Sequence, residues 1–460
     1  MKLPEEFVRR INEQLGDVEG ARLCQALDEE PSVSVRLNPL KTDSVEKLPM
    51  LSVDRPIPWS EQGYYLRERA SFTFDGAFHG GAYYVQEASS QFVGYLLRGE
   101  PLRGKRLLDM CAAPGGKTTL YASLVGEEGL VVANEIDRRR ANVLADNVRK
   151  WGSANVVVSS CRSEAFRPLD ERFDVVAVDA PCSGEGMFRK DEVARADWSV
   201  GNVMLCAHRQ DEILRQSWQT LRAGGLLIYS TCTFNREEDE ASLERMIEWA
   251  GDELVEADEV ELHDEWGIVS GRVGAFQTFH FYPHKARGEG FFAAVARKAG
   301  TISSGKPRRM KGGRKVVAKA DKKAVEELQR WVMHPEKMQF MMVGDQYYGW
   351  SAAQGQFIEE LSEHLPVIYS GVAMGQIFKG RLKPDWAMAM FYDLNREAVS
   401  QVELDEEQML RFLRRLDIDP TILKEGMNLV TYQSLGLGFL KRIGQRANNL
   451  YPDSLRIIKQ

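Results

Sequence analysis

Cysteine is scarce in this chain: six in 460 residues, at positions 24, 111, 161, 182, 206 and 232, with no CxxC pair. That scatter argues against a structural zinc site and against a disulfide framework, both of which need clustered thiols. Apolar runs long enough to span a bilayer are missing too. The opening Met1-Lys2-Leu3-Pro4-Glu5-Glu6 lacks the basic-then-apolar pattern of a secretion signal. A cytoplasmic chain with free thiols, no membrane partner and no metal is expected. Positive charge is not in surplus: 60 Lys and Arg face 67 Asp and Glu, a net charge of −7. A nucleic-acid partner would have to be met by local basic patches. No internal repeat stands out, and the length allows two to four ordinary domains.

What is present centres on Leu107-Leu108-Asp109-Met110-Cys111-Ala112-Ala113-Pro114-Gly115-Gly116-Lys117-Thr118, a buried-strand run that breaks into a Gly-rich turn and then a helix. Such a turn brings a ligand close to backbone N–H groups, and the helix N-terminus adds donors. Gly116-Lys117-Thr118 imitates the end of a phosphate-binding loop. That loop requires glycine where Cys111 stands, and Pro114 removes a donor, so the nucleotide triphosphatase reading fails. Residues 130–135 instead supply a second strand ending in Glu135, placed to accept from ribose hydroxyls. At this level a nicotinamide cofactor and S-adenosylmethionine remain indistinguishable.

Two later strands end in thiols. Asp179-Ala180-Pro181-Cys182-Ser183-Gly184 follows the apolar run 173–178, and Tyr229-Ser230-Thr231-Cys232-Thr233 follows another. In an open α/β sheet, ligands bind at the strand carboxyl ends. Cys24 and Cys206 read as small buried hydrophobes.

CAAPGGKT, DAPCSGEG and YSTCT, in this order, resemble the Nop/Sun family of RNA cytosine-5 methyltransferases. Phe188-Arg189-Lys190, Gln86-Glu87-Ala88-Ser89-Ser90 and the C-terminal layout resemble its bacterial RsmF-like branch, which methylates small-subunit ribosomal RNA. The resemblance covers essentially the whole chain. It implies an α/β, Rossmann-like methyltransferase core with S-adenosyl-L-methionine as cofactor, held by Cys111, Ala112, Ala113, Pro114, Gly115, Gly116, Lys117, Glu135 and Asp179. It also implies Cys232 as nucleophile, Cys182 as the residue that assists product release, and Asp179 on the cytosine edge. A Pro-Cys dipeptide is the nucleophile motif of DNA cytosine-5 methyltransferases, and on that analogy the thiols would exchange roles. The Thr-Cys at 232 favours the RNA-family assignment. The family commonly has an Asp after the third strand, whereas this chain reads Ser159-Ser160-Cys161-Arg162. Cys161 is carried over as the candidate at that place.

The chemistry needs a nucleophile because C5 of cytosine is too electron-poor to take a methyl group directly. A thiolate adding at C6 makes an enamine, C5 then accepts methyl, and loss of the C5 proton expels the thiol. The partner expected is RNA, with small-subunit rRNA or the 30S subunit foremost, and the working unit a monomer. A transfer-RNA methyltransferase of the same chemistry and a ribosome-assembly RNA-binding factor are the alternatives.

Four segments are expected. Residues 1–75 form an N-terminal RNA-recognition α/β module, with Phe7, Ile11 and Leu15 at helical spacing, and with Arg36 and Lys41 in an RNA-facing subdomain by resemblance. Residues 76–300 alternate strands and helices as a parallel sheet covered on both faces. Residues 301–323 form a basic linker, centred on GKPRRMKGGRK at 305–315, suited to phosphate contact. Residues 324–460 form C-terminal α+β RNA-binding modules, including a PUA-like element around 436–446. Short strands are expected there at 339–343 and 367–369.

Overall fold

The computed structural model describes residues 2–301 and 313–459. Its centre is a ten-stranded mixed sheet. The path runs Val269–Val273, Phe276–Phe281, Phe291–Lys298, Leu221–Thr231, Phe173–Asp179, Arg106–Asp109, Leu130–Asn134, Val156–Ser159 and Val367–Ser370, with Leu254–Val255 paired off it. The five strands from Leu221–Thr231 to Val156–Ser159 are parallel. They read as near-continuous apolar runs because both faces are covered, and alternate residues go to opposite layers. Leu107, Val131, Val158, Ala177 and Ile228 pack on one face, and Leu108, Val132, Val157, Val176 and Leu227 on the other.

The sheet is parallel only in this centre. Phe276–Phe281 and Phe291–Lys298 return as an antiparallel pair beside Leu221–Thr231. On the opposite edge, Val367–Ser370, expected in a C-terminal module, pairs antiparallel with Val156–Ser159. A bare edge there would present unpaired N–H and C=O groups, and the C-terminal segment covers it.

The N-terminal sheet is antiparallel, in the order Val53–Pro56, Gly63–Leu66, Val33–Leu37, Tyr83–Tyr84. Its last strand lies beyond the expected border at 75, since the apolar partner that Leu37 needs is Tyr83. Helices Glu5–Leu15 and Asp17–Ala26 precede it. Phe7 and Ile11 point into a cluster with Phe188, Trp198, Phe234 and Tyr282, so these helices pack on the segments that follow the thiol-bearing strands. Towards the C-terminus stand a five-stranded antiparallel sheet, from Val317–Lys319 to Arg381–Pro384, and a four-stranded mixed sheet, from Ser400–Glu403 to Arg446–Asn449. Residues 305–312 of the basic stretch lie outside the described residues. No described helix is long and apolar enough to cross a membrane.

Arg36 and Lys41 do not face outward. Arg36 is 1% exposed, and its guanidinium donates to Gln86 Oε1 (2.7 Å), Gly116 O (3.1 Å) and Thr119 Oγ1 (2.6 Å) while lying over the Trp151 ring. Lys41 Nζ donates to the carbonyls of Gly80 and Lys150, and burial draws its pKa down to about 7. Both cations serve the seam between module and core, where free carbonyl oxygens need donors.

Candidate active site

The turn after Arg106–Asp109 is built as its composition requires. Gly115 has φ 111°, a left-handed conformation open to glycine, and caps the helix Gly116–Val125. Ala112 N–H donates to Asn134 O (2.8 Å), and Arg140 and Asn147 side chains hold the carbonyls of Ala113 and Pro114. The turn is therefore tied to the end of Leu130–Asn134, where Glu135 sits 4% exposed. Glu135 accepts from Asp137 N (2.9 Å) and lies 3.5 Å from Arg140.

Asp109, fully buried, accepts from Thr118 Oγ1 at 2.6 Å, while its Oδ1 has no hydrogen-bond partner among the described residues. Burial pushes its pKa up to about 7. Asp109 lines a cavity of about 1440 Å³ together with Cys111, Ala112, Ala113, Pro114, Gly116, Lys117 and Asp179. The volume exceeds that of a usual small-ligand pocket, leaving room for a nucleoside cofactor and a base together. An orphaned carboxylate oxygen, a glycine turn open to close approach and a carboxylate at the second strand end fit S-adenosylmethionine in donor and acceptor character. Outer walls come from the N-terminal module, including Arg67 and Arg69, and from Lys190 and Lys285.

Lys117, expected with the cofactor residues, turns toward Asp179. Its Nζ lies 2.8 Å from Asp179 Oδ2, and Ser230 Oγ donates to Oδ1 at 2.7 Å. Burial works against the charge on Lys117, but the Asp179 carboxylate outweighs it and raises the pKa, with Cys232 adding to the same field.

The two half-buried thiols are brought together. Cys182 Sγ lies 3.3 Å from Cys232 Sγ, and Cys232 N–H donates to Cys182 Sγ at 3.4 Å. They follow adjacent parallel strands in which Asp179 pairs with Ser230, so the register itself creates the contact. The hydrogen bond with Cys232, then burial, lifts the Cys182 pKa well above the ordinary thiol range.

Buried acids hold the two loops. Glu185 accepts from Thr233 Oγ1, Phe234 N, Asn235 Nδ2 and Trp198 Nε1, and Glu238 accepts from Ser183 N, Gln210 Nε2 and Asn235 Nδ2. Gly186 N–H donates to Cys232 O (2.8 Å), and there is no room for a Cβ at Gly186. Glu185, Glu238 and Asn235 were not singled out in the sequence, and Asp109 appeared there only as the end of a buried-strand run.

Not every expected residue lines the cavity: Gly115, Glu135, Cys161, Cys182 and Cys232 lie outside its wall. Cys161 is occupied by Asn134, which accepts from its N–H and thiol and donates to its carbonyl at 2.9 Å. Burial carries its pKa up to about 11. Among the described residues, no group of three or more His, Cys, Asp and Glu could hold a metal ion.

A Rossmann-like sheet with a glycine turn and an acid after the second strand, closed by the antiparallel strand Phe291–Lys298 beside Leu221–Thr231, is the fold of S-adenosylmethionine-dependent methyltransferases. Among solved structures, a methyltransferase homolog protein from Pyrococcus horikoshii matches with TM-score 0.52 and 28% identity, covering 64% of this chain and 95% of its own. NSun6 from the same organism, solved with SFG, matches in fold with TM-score 0.56 at 21% identity, covering 65% of this chain and all but 1% of its own (99%). Family models described as the N-terminal domain of 16S rRNA methyltransferase RsmF, 16S rRNA methyltransferase RsmB/F and the methyltransferase RsmF PUA domain match residues 3–88, 96–297 and 399–457. Ribosomal RNA small subunit methyltransferase F of Enterobacter sp. (strain 638) is 30% identical, covering 98% of this chain and 95% of its own length. That of Aeromonas salmonicida is 31% identical over 92% and 90%. The chain belongs to the RsmF family of ribosomal RNA small subunit methyltransferases.

Proposed function

We propose that this protein methylates C5 of a cytosine in 16S ribosomal RNA through a covalent Cys232–C6 adduct, with S-adenosylmethionine as methyl donor. The observation that carries this reading is the 3.3 Å approach of Cys182 and Cys232 beside the Lys117–Asp179 pair. A one-step transfer to an oxygen or amine would have no use for two adjacent thiols; addition at C6 followed by elimination needs one to attack and a second group to help the first leave.

Cys232 is the sulfur whose field acts on the Lys117 ammonium, and it serves as the nucleophile. Attack of that sulfur on C6 breaks the C5–C6 double bond and moves its electron pair to C5. Asp179 holds the N3 and exocyclic amine edge and favours protonation at N3, which draws electron density from C6. Bound S-adenosylmethionine supplies the methyl group to C5. Cys182, kept as a neutral thiol by its surroundings, hydrogen-bonds the departing sulfur, while the C5 proton passes to water; this restores the double bond and expels Cys232 as a thiolate. Glu135, Asp109 and the glycine turn hold the cofactor, and the N-terminal and C-terminal modules hold the RNA. The target must leave its stack to reach the cavity, which is least costly in unpaired or distorted RNA.

The test is a denaturing gel of each cysteine variant with S-adenosylmethionine and 16S rRNA transcribed in vitro. Cys182→Ala should accumulate a protein–RNA adduct. Cys232→Ala should form none and methylate nothing, while retaining cofactor binding. Equal methylation by both variants would overturn the two-thiol account. Activity on transfer RNA but not on 16S rRNA would move the substrate within the same chemistry.

A further inference from the structure

The chain between residues 298 and 398 lies between the stretches matched by the family models. It contains a hairpin, Val372–Phe378 with Arg381–Pro384, whose tip differs from the rest of the surface. Phe378 is 68% exposed. Every other Phe, Tyr and Trp of the chain is at least partly buried. Single exposed aliphatics are ordinary on a protein surface, but an exposed aromatic at a tight turn contributes nothing to folding there.

The turn holds this ring in register with positive charge. Lys379 and Gly380 have φ of 51° and 77°, the pair of left-handed residues that a two-residue hairpin turn requires. Phe378 is thereby paired with Arg381, and Gln376 with Lys383. With a strand period of two, these four residues share one face, while Leu382, 7% exposed, turns to the core. Lys379 Nζ lies 5.4 Å from the centre of the Phe378 ring. Among the described residues, Lys379, Arg381 and Lys383 have no ion pair. Asp345, on the neighbouring hairpin, accepts from Gln376.

We propose that this hairpin face is a second RNA contact, in which the Phe378 ring stacks on an unpaired base and Lys379, Arg381 and Lys383 meet the adjoining phosphates. The inference rests on the reading of the chain as an RNA-modifying enzyme. An aromatic flanked by three cations that form no ion pair among the described residues matches single-stranded RNA, whose bases offer π-faces between negative charges. A protein partner's apolar pocket would accept any side chain of similar size and would gain little from the three cations.

The test measures the affinity of the full-length protein for 16S rRNA transcribed in vitro, across a salt series, with S-adenosylmethionine affinity as control. Phe378→Ala and Phe378→Leu should each lose roughly tenfold in RNA affinity, and Phe378→Trp should bind at least as tightly as the parent protein. Arg381→Gln and Lys383→Gln should each lower the slope of log affinity against log salt by roughly one. Cofactor affinity should stay unchanged in all of them. Parent-like RNA affinity in Phe378→Ala would overturn the proposal while leaving the enzyme assignment intact. Full retention in Phe378→Leu would overturn stacking in favour of an apolar partner. A parent protein that bound no 16S rRNA would overturn the functional reading, and this contact with it.

Discussion

Replacing Gly186 by alanine should cripple catalysis without touching a chemical group. A Cβ on Gly186 would lie 2.4 Å from Gly290 O and 2.9 Å from Cys232 O, both backbone atoms. Separations under 3.0 Å are not sustained, so the first contact alone demands a movement of about 0.6 Å. The wall formed by Gly290 is itself blocked, with Phe234 behind it and Glu289 pinned by Arg189 and Glu87. The loop carrying Cys232 has therefore to yield, together with the hydrogen bond from Gly186 N–H. Misplacement of a reacting group by about 1 Å costs on the order of a hundredfold in rate, so a 10- to 100-fold loss is expected. Overpacking at such a site destabilises a fold by about 1–3 kcal/mol. The assay is single-turnover methyl transfer to 16S rRNA, alongside cofactor titration and urea unfolding. The turn holding the cofactor is separate, so cofactor affinity should stay within about twofold of the parent protein (~0.4 kcal/mol). A parent-like single-turnover rate would refute the argument that this glycine sets the nucleophile's position.

Three other variants probe the supporting structure. Burial raises the Asp109 pKa from 3.8 to about 7, so the folded protein binds a proton there that the unfolded chain has released. The contribution is complete below pH about 4 and lost by pH about 7, a fall of about 4 kcal/mol in unfolding free energy. In urea unfolding followed across pH, Asp109→Asn should flatten that window relative to the parent protein; an unchanged pH slope would sink the reasoning. Arg36→Lys cannot reach Gln86, Gly116 and Thr119 together and should cost about 2–4 kcal/mol in urea unfolding. Because the guanidinium is buried, the salt dependence of RNA binding should not change, whereas a shallower slope would return Arg36 to the RNA-facing role. Glu135→Ala should weaken S-adenosylmethionine binding by about 1–3 kcal/mol in calorimetric titration, and unchanged affinity would remove Glu135 from the cofactor site.

Much of the core was legible in the chain because its signals are local. The strands near 106–109, 130–135, 156–159 and 173–179 declare themselves as apolar runs, since residues buried on both faces have no polar alternation to confuse the pattern. The glycine turn, the acid at Glu135 and the thiols after two strands also follow from short-range order, because strand carboxyl ends converge on one edge of such a sheet.

Tertiary structure decided what depends on pairing across long separations. Nothing near Val367–Ser370 marks it as the edge strand of the core, because an edge is completed by whichever segment the rest of the chain delivers. Arg36, placed by resemblance in an RNA-facing subdomain, is a buried brace, since sequence gives a charge but not the acceptors it will face. Nothing local marks Glu185 and Glu238 as buried braces; the fold encloses them among donors from four segments. Cys182 and Cys232 are 50 residues apart in the chain. Their types and positions after strands belong to the sequence, while the register of Asp179 against Ser230 brings their sulfurs to 3.3 Å.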